Sequence, residues 1–166
     1  MVSLVVHAIL GLVLIGLIVA SNPKIFARPA NGPRLSALEC AYYAIGIAGT
    51  VLGYYFNTRF VAQYATGTGN IFWGPGSWAE FISLGYTNPA ASNASQDYTL
   101  INVVLLPLFT IVDGYRRGIR RPWLFFVTSL FTSCAFAYAF YFATMERQRR
   151  HRQTAPEPAR TVTSGA

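Results

Sequence analysis

The charged residues of this chain fall into clusters that leave four long apolar runs between them. Each run is close to the roughly 20 residues an α-helix needs to cross a hydrocarbon core. Hydrocarbon offers a backbone no hydrogen-bond partner, so segments of this kind must close their own hydrogen bonds as helices. Composition agrees: 53% of the 166 residues are hydrophobic and 11% charged, with a mean hydropathy of +0.36, far from the soluble average. The formal net charge of +7 would suggest a nucleic-acid partner in a soluble protein. Here the basic residues sit beside apolar runs, where Lys and Arg anchor helix ends and meet anionic headgroups, so lipid rather than nucleic acid is the expected partner. The sequence predicts one domain over 1–146, an all-α integral membrane bundle of four transmembrane helices near 4–20, 38–60, 89–115 and 122–146. A short interfacial helix lies between the second and third, and a basic tail, 147–166, is expected to be disordered.

The first run, Leu4–Ala20, is interrupted only by His7, and no Lys or Arg precedes it, so it reads as a retained anchor rather than a cleaved leader. Pro23, Pro29 and Pro33 keep the following connector out of a continuous helix, and Lys24, Arg28 and Arg34 mark it as membrane-flanking. Between the second and third runs lies a loop rich in Gly and aromatic residues. Ser77 and Glu80 have capping-box spacing there, which starts a short helix whose Trp78, Phe81 and Ile82 can rest in a headgroup layer. Asn88-Pro89 supplies an N-cap and first-turn proline for the third helix, and Pro107 should bend that helix near the Val103 carbonyl.

Helix packing is expected through Gly46, Gly49 and Gly53 on the second helix, where the last two have the spacing that lets backbones approach closely. Ser129, Ser133 and Ala137 form a small-residue stripe on the fourth. Cys40 and Cys134 lie at depths differing by roughly 12 Å or more in such a bundle, beyond disulfide reach. No His or second Cys stands at ligand spacing, so no metal or cofactor is indicated.

Alternating helices fix which residues share an end. Glu39 and Asp113 fall at one end with Arg34, Arg116, Arg117, Arg120 and Arg121, while His7, Asn57, Arg59, Asp97 and Glu146 fall at the other. The positive-inside rule then places connectors 21–36 and 114–121 in the cytoplasm and both termini outside, although Arg147–Arg152 would sit against the rule. In the first layer Glu39 and Asp113 either neutralise arginines or form an acid–base pair, with Arg116 or Arg120 holding an anionic headgroup. In the second, Arg59 either pairs with Asp97 or joins His7, Asp97 and Asn102 in lining a polar path. The match of Asn93-Ala94-Ser95 to a glycosylation sequon matters only in a eukaryotic source.

Gly49-Thr50-Val51-Leu52 with Tyr54-Tyr55-Phe56, Asn88-Pro89, Asp97, Asp113-Gly114-Tyr115-Arg116-Arg117 with Arg120, Arg121 and Trp123, and the terminal Glu146-Arg147 give the chain a resemblance. From about Tyr42 to Arg150 it resembles the uncharacterised bacterial membrane-protein family called domain of unknown function 2834. Met1–Leu38 lies outside that resemblance, Thr66–Gly76 looks like an insertion, and Asp113 stands where a Glu is expected. The resemblance implies membrane localisation and the last three helices, but carries no chemistry. Three functional classes follow from the residues. They are an accessory membrane protein packing with itself or a larger assembly, a membrane-embedded enzyme acting on a lipid or isoprenoid, and a small oligomeric permease or channel.

Overall fold

The computed structural model describes residues 2–29, 31–70 and 72–153, and these are helical with no strand among them. Helix α1 (Val2–Ser21) ends at Asn22, and a single turn, α2 (Pro23–Phe26), follows. Asn22 is buried, and its amide does two tasks. Its Nδ2 donates to the Ile18 carbonyl at 2.9 Å, closing the end of α1, and to the Arg120 carbonyl at 3.1 Å. Its Oδ1 accepts from the Arg120 N–H at 2.7 Å, so one side chain pins a distant turn to the end of α1.

Helix α3 (Ala37–Tyr64) opens with a complete capping box: Ser36 accepts from the Glu39 N–H, and Glu39 accepts from the Ser36 N–H at 2.7 Å. At about 1.5 Å per residue it is roughly 42 Å long. Helix α4 (Trp78–Leu84) is capped by Ser77 and leaves Trp78, Phe81 and Ile82 exposed. Helix α5 (Pro89–Thr99), capped by Asn88, runs through a π-helical stretch, Leu100–Leu105, into α6 (Leu106–Arg116). Pro107 has no N–H to offer the Val103 carbonyl and its ring would crowd that oxygen. The bend expected near Val103 is therefore taken up as a widened turn, in which the Leu106 N–H reaches the Ile101 carbonyl.

The largest departure from the sequence reading concerns the fourth run. It is not one helix over 122–146 but two, α7 (Trp123–Ser129) and α8 (Cys134–Gln153), joined by a reversal at 130–133. The register of contacts shows that they run antiparallel. Phe125 meets Phe140 and Tyr141 at 5.5 and 5.0 Å between rings, and α8 lies antiparallel to α3, with Gly49 against Ala135, Gly46 against Ala139, and Glu39 against Arg147. Hydroxyl groups line the break and bond backbone on both sides of it. Thr128, Ser129 and Thr132 donate to the carbonyls of Leu124, Phe126 and Thr128, Ser133 caps α8 through the Phe136 N–H at 3.0 Å, and Tyr54 Oη donates to the Phe131 carbonyl at 2.9 Å.

This hairpin also corrects the allocation of charges. Glu146, Arg147, Arg149, Arg150 and Arg152 return to the end that holds Glu39 and the Arg116–Arg121 turn, rather than joining His7 and Arg59. The stretch 147–153 is the end of α8 and not a disordered tail; the rest of that expected tail, 154–166, lies outside the described residues.

The core is aromatic and centred on α8: Phe125, Phe140 and Tyr141 with Ile18, Ile25, Ile119 and Leu124. Outside it, α1, α3 and α5–α6 carry fully displayed apolar side chains such as Leu12, Val51 and Leu108, at 70, 61 and 59% exposure. Two helical stretches, Leu4–Ser21 and Pro89–Arg116, are long and apolar enough to cross a membrane.

Two glycines discriminate close packing from spacing alone. A Cβ on Gly49 would stand 2.8 Å from the Ala135 Cβ, whereas one on Gly16 meets nothing within 4 Å. Gly49→Ala is expected to lower stability by about 1–3 kcal/mol through overpacking, and Gly16→Ala to leave it equal or raised. Thermal unfolding in a mild detergent checks the pair, and equal effects from both would refute the α3–α8 contact. Tyr54→Phe, which orphans the Phe131 carbonyl, is expected to cost about 1 kcal/mol in the same assay.

Candidate functional site

The most densely bonded polar cluster lies where α3 begins and α8 nears its end. Glu39 is fully buried, a position reached because the capping box holds its carboxylate over the first turn of α3. Its Oε1 accepts from Arg147 Nη1 at 3.0 Å, and its Oε2 accepts from the Ser36 N–H and from Arg150 Nη1. Arg147, 5% exposed, offers the five N–H donors of any guanidinium. Its Nε donates to the Ile25 carbonyl at 2.9 Å, Nη1 to Arg34 at 3.2 Å as well as to Glu39, and Nη2 to Phe26 at 3.3 Å and Ala27 at 2.9 Å. Five donors thus meet five acceptors. The carbonyls of Ile25, Phe26 and Ala27 close the short helix α2, where a cation is favoured.

Asp113 makes a separate cluster. Its Oδ2 accepts from Tyr141 Oη at 2.8 Å and from Arg117 Nε at 2.5 Å, one turn on in the same helix end. Its neighbour Gly114 packs against Pro122 so closely that a Cβ would come within 2.4 Å of the proline ring. No hydrogen bond or ion pair joins Asp113 to Glu39 among the described residues. Arg116 and Arg120, candidates for holding an anion, are exposed at the same end. On the outer surface of α8, Arg149 donates to both oxygens of Glu146 at 2.9 and 2.8 Å, and those bonds hold the Glu146 carboxyl below its ordinary range.

The four residues read as a polar path are dispersed at the other end. His7 stacks on Trp78 of α4 and meets the tilted ring of Phe131 in the hairpin reversal. Arg59 lies over the Tyr55 ring and donates to its hydroxyl at 3.1 Å, while Asp97 accepts from Gln96 at 2.8 Å, so the expected Arg59–Asp97 pair is not formed. Asn102 sits buried in the π turn and donates to Tyr98 Oη at 3.3 Å. Of the packing residues, Gly46 and Gly49 lie against α8 and Gly53 faces the Thr132 carbonyl. Ser129, Ser133 and Ala137 do not form one stripe, because the chain reverses between them, yet Ser129 and Ala137 are both buried. Cys40 and Cys134 are separate thiols, one exposed and one buried.

Sequence reasoning missed the roles of Asn22, Arg147 and Ser36. The Ser36-Ala37-Leu38-Glu39 capping signature was present to be read, whereas the partners of Arg147 are backbone carbonyls that carry no residue signature.

A family model described as "Protein of unknown function DUF2834" matches residues 41–147. The chain belongs to this DUF2834 family. The DUF2834 segment takes in nearly all of α3 and runs through the hairpin to Arg147, leaving α1, the connector and Glu39 before it. No curated protein and no solved structure matches the chain.

The Glu39–Arg147 pair gives a direct test. Removing the charge of one partner strands the other in a buried site, a change that costs about 3–5 kcal/mol. Glu39→Gln is expected to fall in that range, and Arg147→Lys to be similarly damaging, since a lysine cannot present five donors in a fork. Unfolding midpoints in detergent check both; a Glu39→Gln protein as stable as its parent would show that the cluster is not the tie described.

Proposed function

We propose that this protein is an integral membrane component of accessory, structural type. In this reading α1, α3 and α5–α6 cross the bilayer and α7–α8 enters as a re-entrant hairpin from the basic end, which faces the cytoplasm. The observation that carries it is the return of α8 beside α3. Among the described residues Lys24, Arg28, Arg34, Arg116, Arg117, Arg120, Arg121, Arg147, Arg149, Arg150 and Arg152 then share one end with only Glu39, Asp113 and Glu146 as carboxylates. At the other end stand Arg59, Glu80 and Asp97. The conflict with the positive-inside rule that four crossings create disappears. The exposed apolar side chains of α1, α3 and α5–α6 form a belt between these ends that water would not tolerate but lipid does.

The polar residues support a structural rather than a catalytic role. Both oxygens of Glu39 are committed to Arg147, Arg150 and a helix cap, and Asp113 is committed to Tyr141 and Arg117. A shared acid–base pair would need both carboxylates at one reacting atom. The small residues of α3 and α8 are spent on each other, so docking to a larger assembly falls to the outer surfaces of α1 and α5–α6.

Single cysteines at Gly118, Gln153 and Thr68, introduced into a Cys40→Ser, Cys134→Ser background, test the arrangement with a membrane-impermeant maleimide. The positions 118 and 153 are expected to label from one side and 68 from the other. Labelling of 153 together with 68 would restore four crossings and overturn the reading. Extraction in mild detergent tests the accessory role, with a stoichiometric membrane-protein partner as the expected result and turnover of a lipid by the isolated chain as the contrary one.

A further inference from the structure

A cavity of about 450 Å³ opens on the basic end between α3, the end of α6 and α8. Arg117, Arg149 and Arg152 line it together with Tyr42, Phe142 and Met145, and along α8 Arg149 and Arg152 stand roughly one to three turns nearer the helix end than Phe142 and Met145. Phe142 packs against Tyr42 at 5.7 Å and Phe109 at 6.0 Å between rings, so the apolar part of the lining bridges α3 and α6. Glu146 is the one carboxylate in the lining, and it is engaged by Arg149 through Nε and Nη2. Arg117 is held by Asp113 through Nε alone, which orients its guanidinium and leaves both Nη groups outside that pair. Three cations against Glu146 in the lining and Asp113 behind Arg117 leave this end net positive beside an aromatic and thioether surface, which matches a molecule that is anionic at one end and apolar at the other.

From this juxtaposition we infer a binding site for one anionic phospholipid, its phosphodiester held by Arg117, Arg149 and Arg152 and the start of an acyl chain resting on Phe142 and Met145. Guanidinium groups suit phosphate because each carries several N–H donors, and those outside the Asp113 and Glu146 pairs include both Nη groups of Arg117 and Nη1 of Arg149. A zwitterionic lipid brings its own cation into the same arginine wall and is disfavoured. The inference rests on the membrane reading above, since the lipid reaches the cavity only if this end lies at the headgroup layer.

Native mass spectrometry of the full chain in mild detergent, titrated with phosphatidylglycerol or phosphatidylcholine, tests it. One phosphatidylglycerol is expected to bind about tenfold more tightly than phosphatidylcholine. Arg149→Gln/Arg152→Gln should abolish that preference. Lys24→Gln/Arg28→Gln removes the same charge from exposed positions outside the cavity and should keep it. Equal loss in both double variants would mean diffuse attraction to a basic surface and would overturn the site. So would displacement of the lipid by millimolar inorganic phosphate, which would make the ligand a soluble anion. Lipid binding seen only after removal of residues 154–166 would make that segment the occupant, again against the proposal. The maleimide experiment stands apart: a re-entrant topology without lipid preference rejects this site alone.

Discussion

The arrangement depends on one guanidinium being fully satisfied. Burying a charge is costly unless its counter-charge and all its hydrogen bonds are supplied. Arg147 receives both, from Glu39 and from four carbonyls of the connector between α1 and α3. The consequence is geometric as much as energetic. The donors of a planar fork have fixed directions, so α2, the start of α3 and the last turns of α8 can meet at Arg147 in only one way. A pair of hydrophobic residues in these places would bury area without fixing the register of three segments.

Once that end is fixed, the hairpin must reverse part-way along α3, and under the proposed membrane placement water cannot repair the broken helix there. The sequence Thr128-Ser129-Leu130-Phe131-Thr132-Ser133 answers with side chains that bond backbone locally, and Tyr54 supplies a long-range donor to the Phe131 carbonyl. The reversal is also where small residues are needed: a Cβ on Gly49 would stand 2.8 Å from the Ala135 Cβ, and one on Gly11 would crowd Thr132 at 3.0 Å. Local hydrogen bonding and close backbone packing thus support the same turn, and neither would hold it without the other.

Helical content and most boundaries were legible because the signals are local: a proline or capping residue beside an apolar run at Ser77, Asn88 and Pro107. The break at 130–133 was not, since an apolar count over 123–144 reads the same for one long helix as for two antiparallel ones, and four hydroxyl residues in six positions are ordinary within a membrane helix. That single missed reversal shifted Arg147 to the wrong end and separated it from Glu39. The packing glycines were found from their spacing, but their partner was not, because close-approach patterns name a face and not what covers it. Arg59 and Asp97 were matched by charge alone, and an aromatic ring one turn away from Arg59 proved the nearer partner.

The DUF2834 segment, residues 41–147, does not contain everything its own fold requires in this chain. Helix α7 has 7 residues, about 10 Å of rise, so its tip ends part-way along the longer helices and must be walled on both sides. On one side the wall is α3, within the segment; on the other it is α1, through Gly11 against Thr132 and His7 against Phe131. Asn22 anchors the Arg120 backbone from the same preceding stretch, and all five acceptors of Arg147 come from residues 25–39. A chain reduced to the matched segment would leave a buried guanidinium without a single one of its partners and a helix break open on one flank. In this protein α1 is therefore not an appended anchor. It and the connector complete the core that the last helices build.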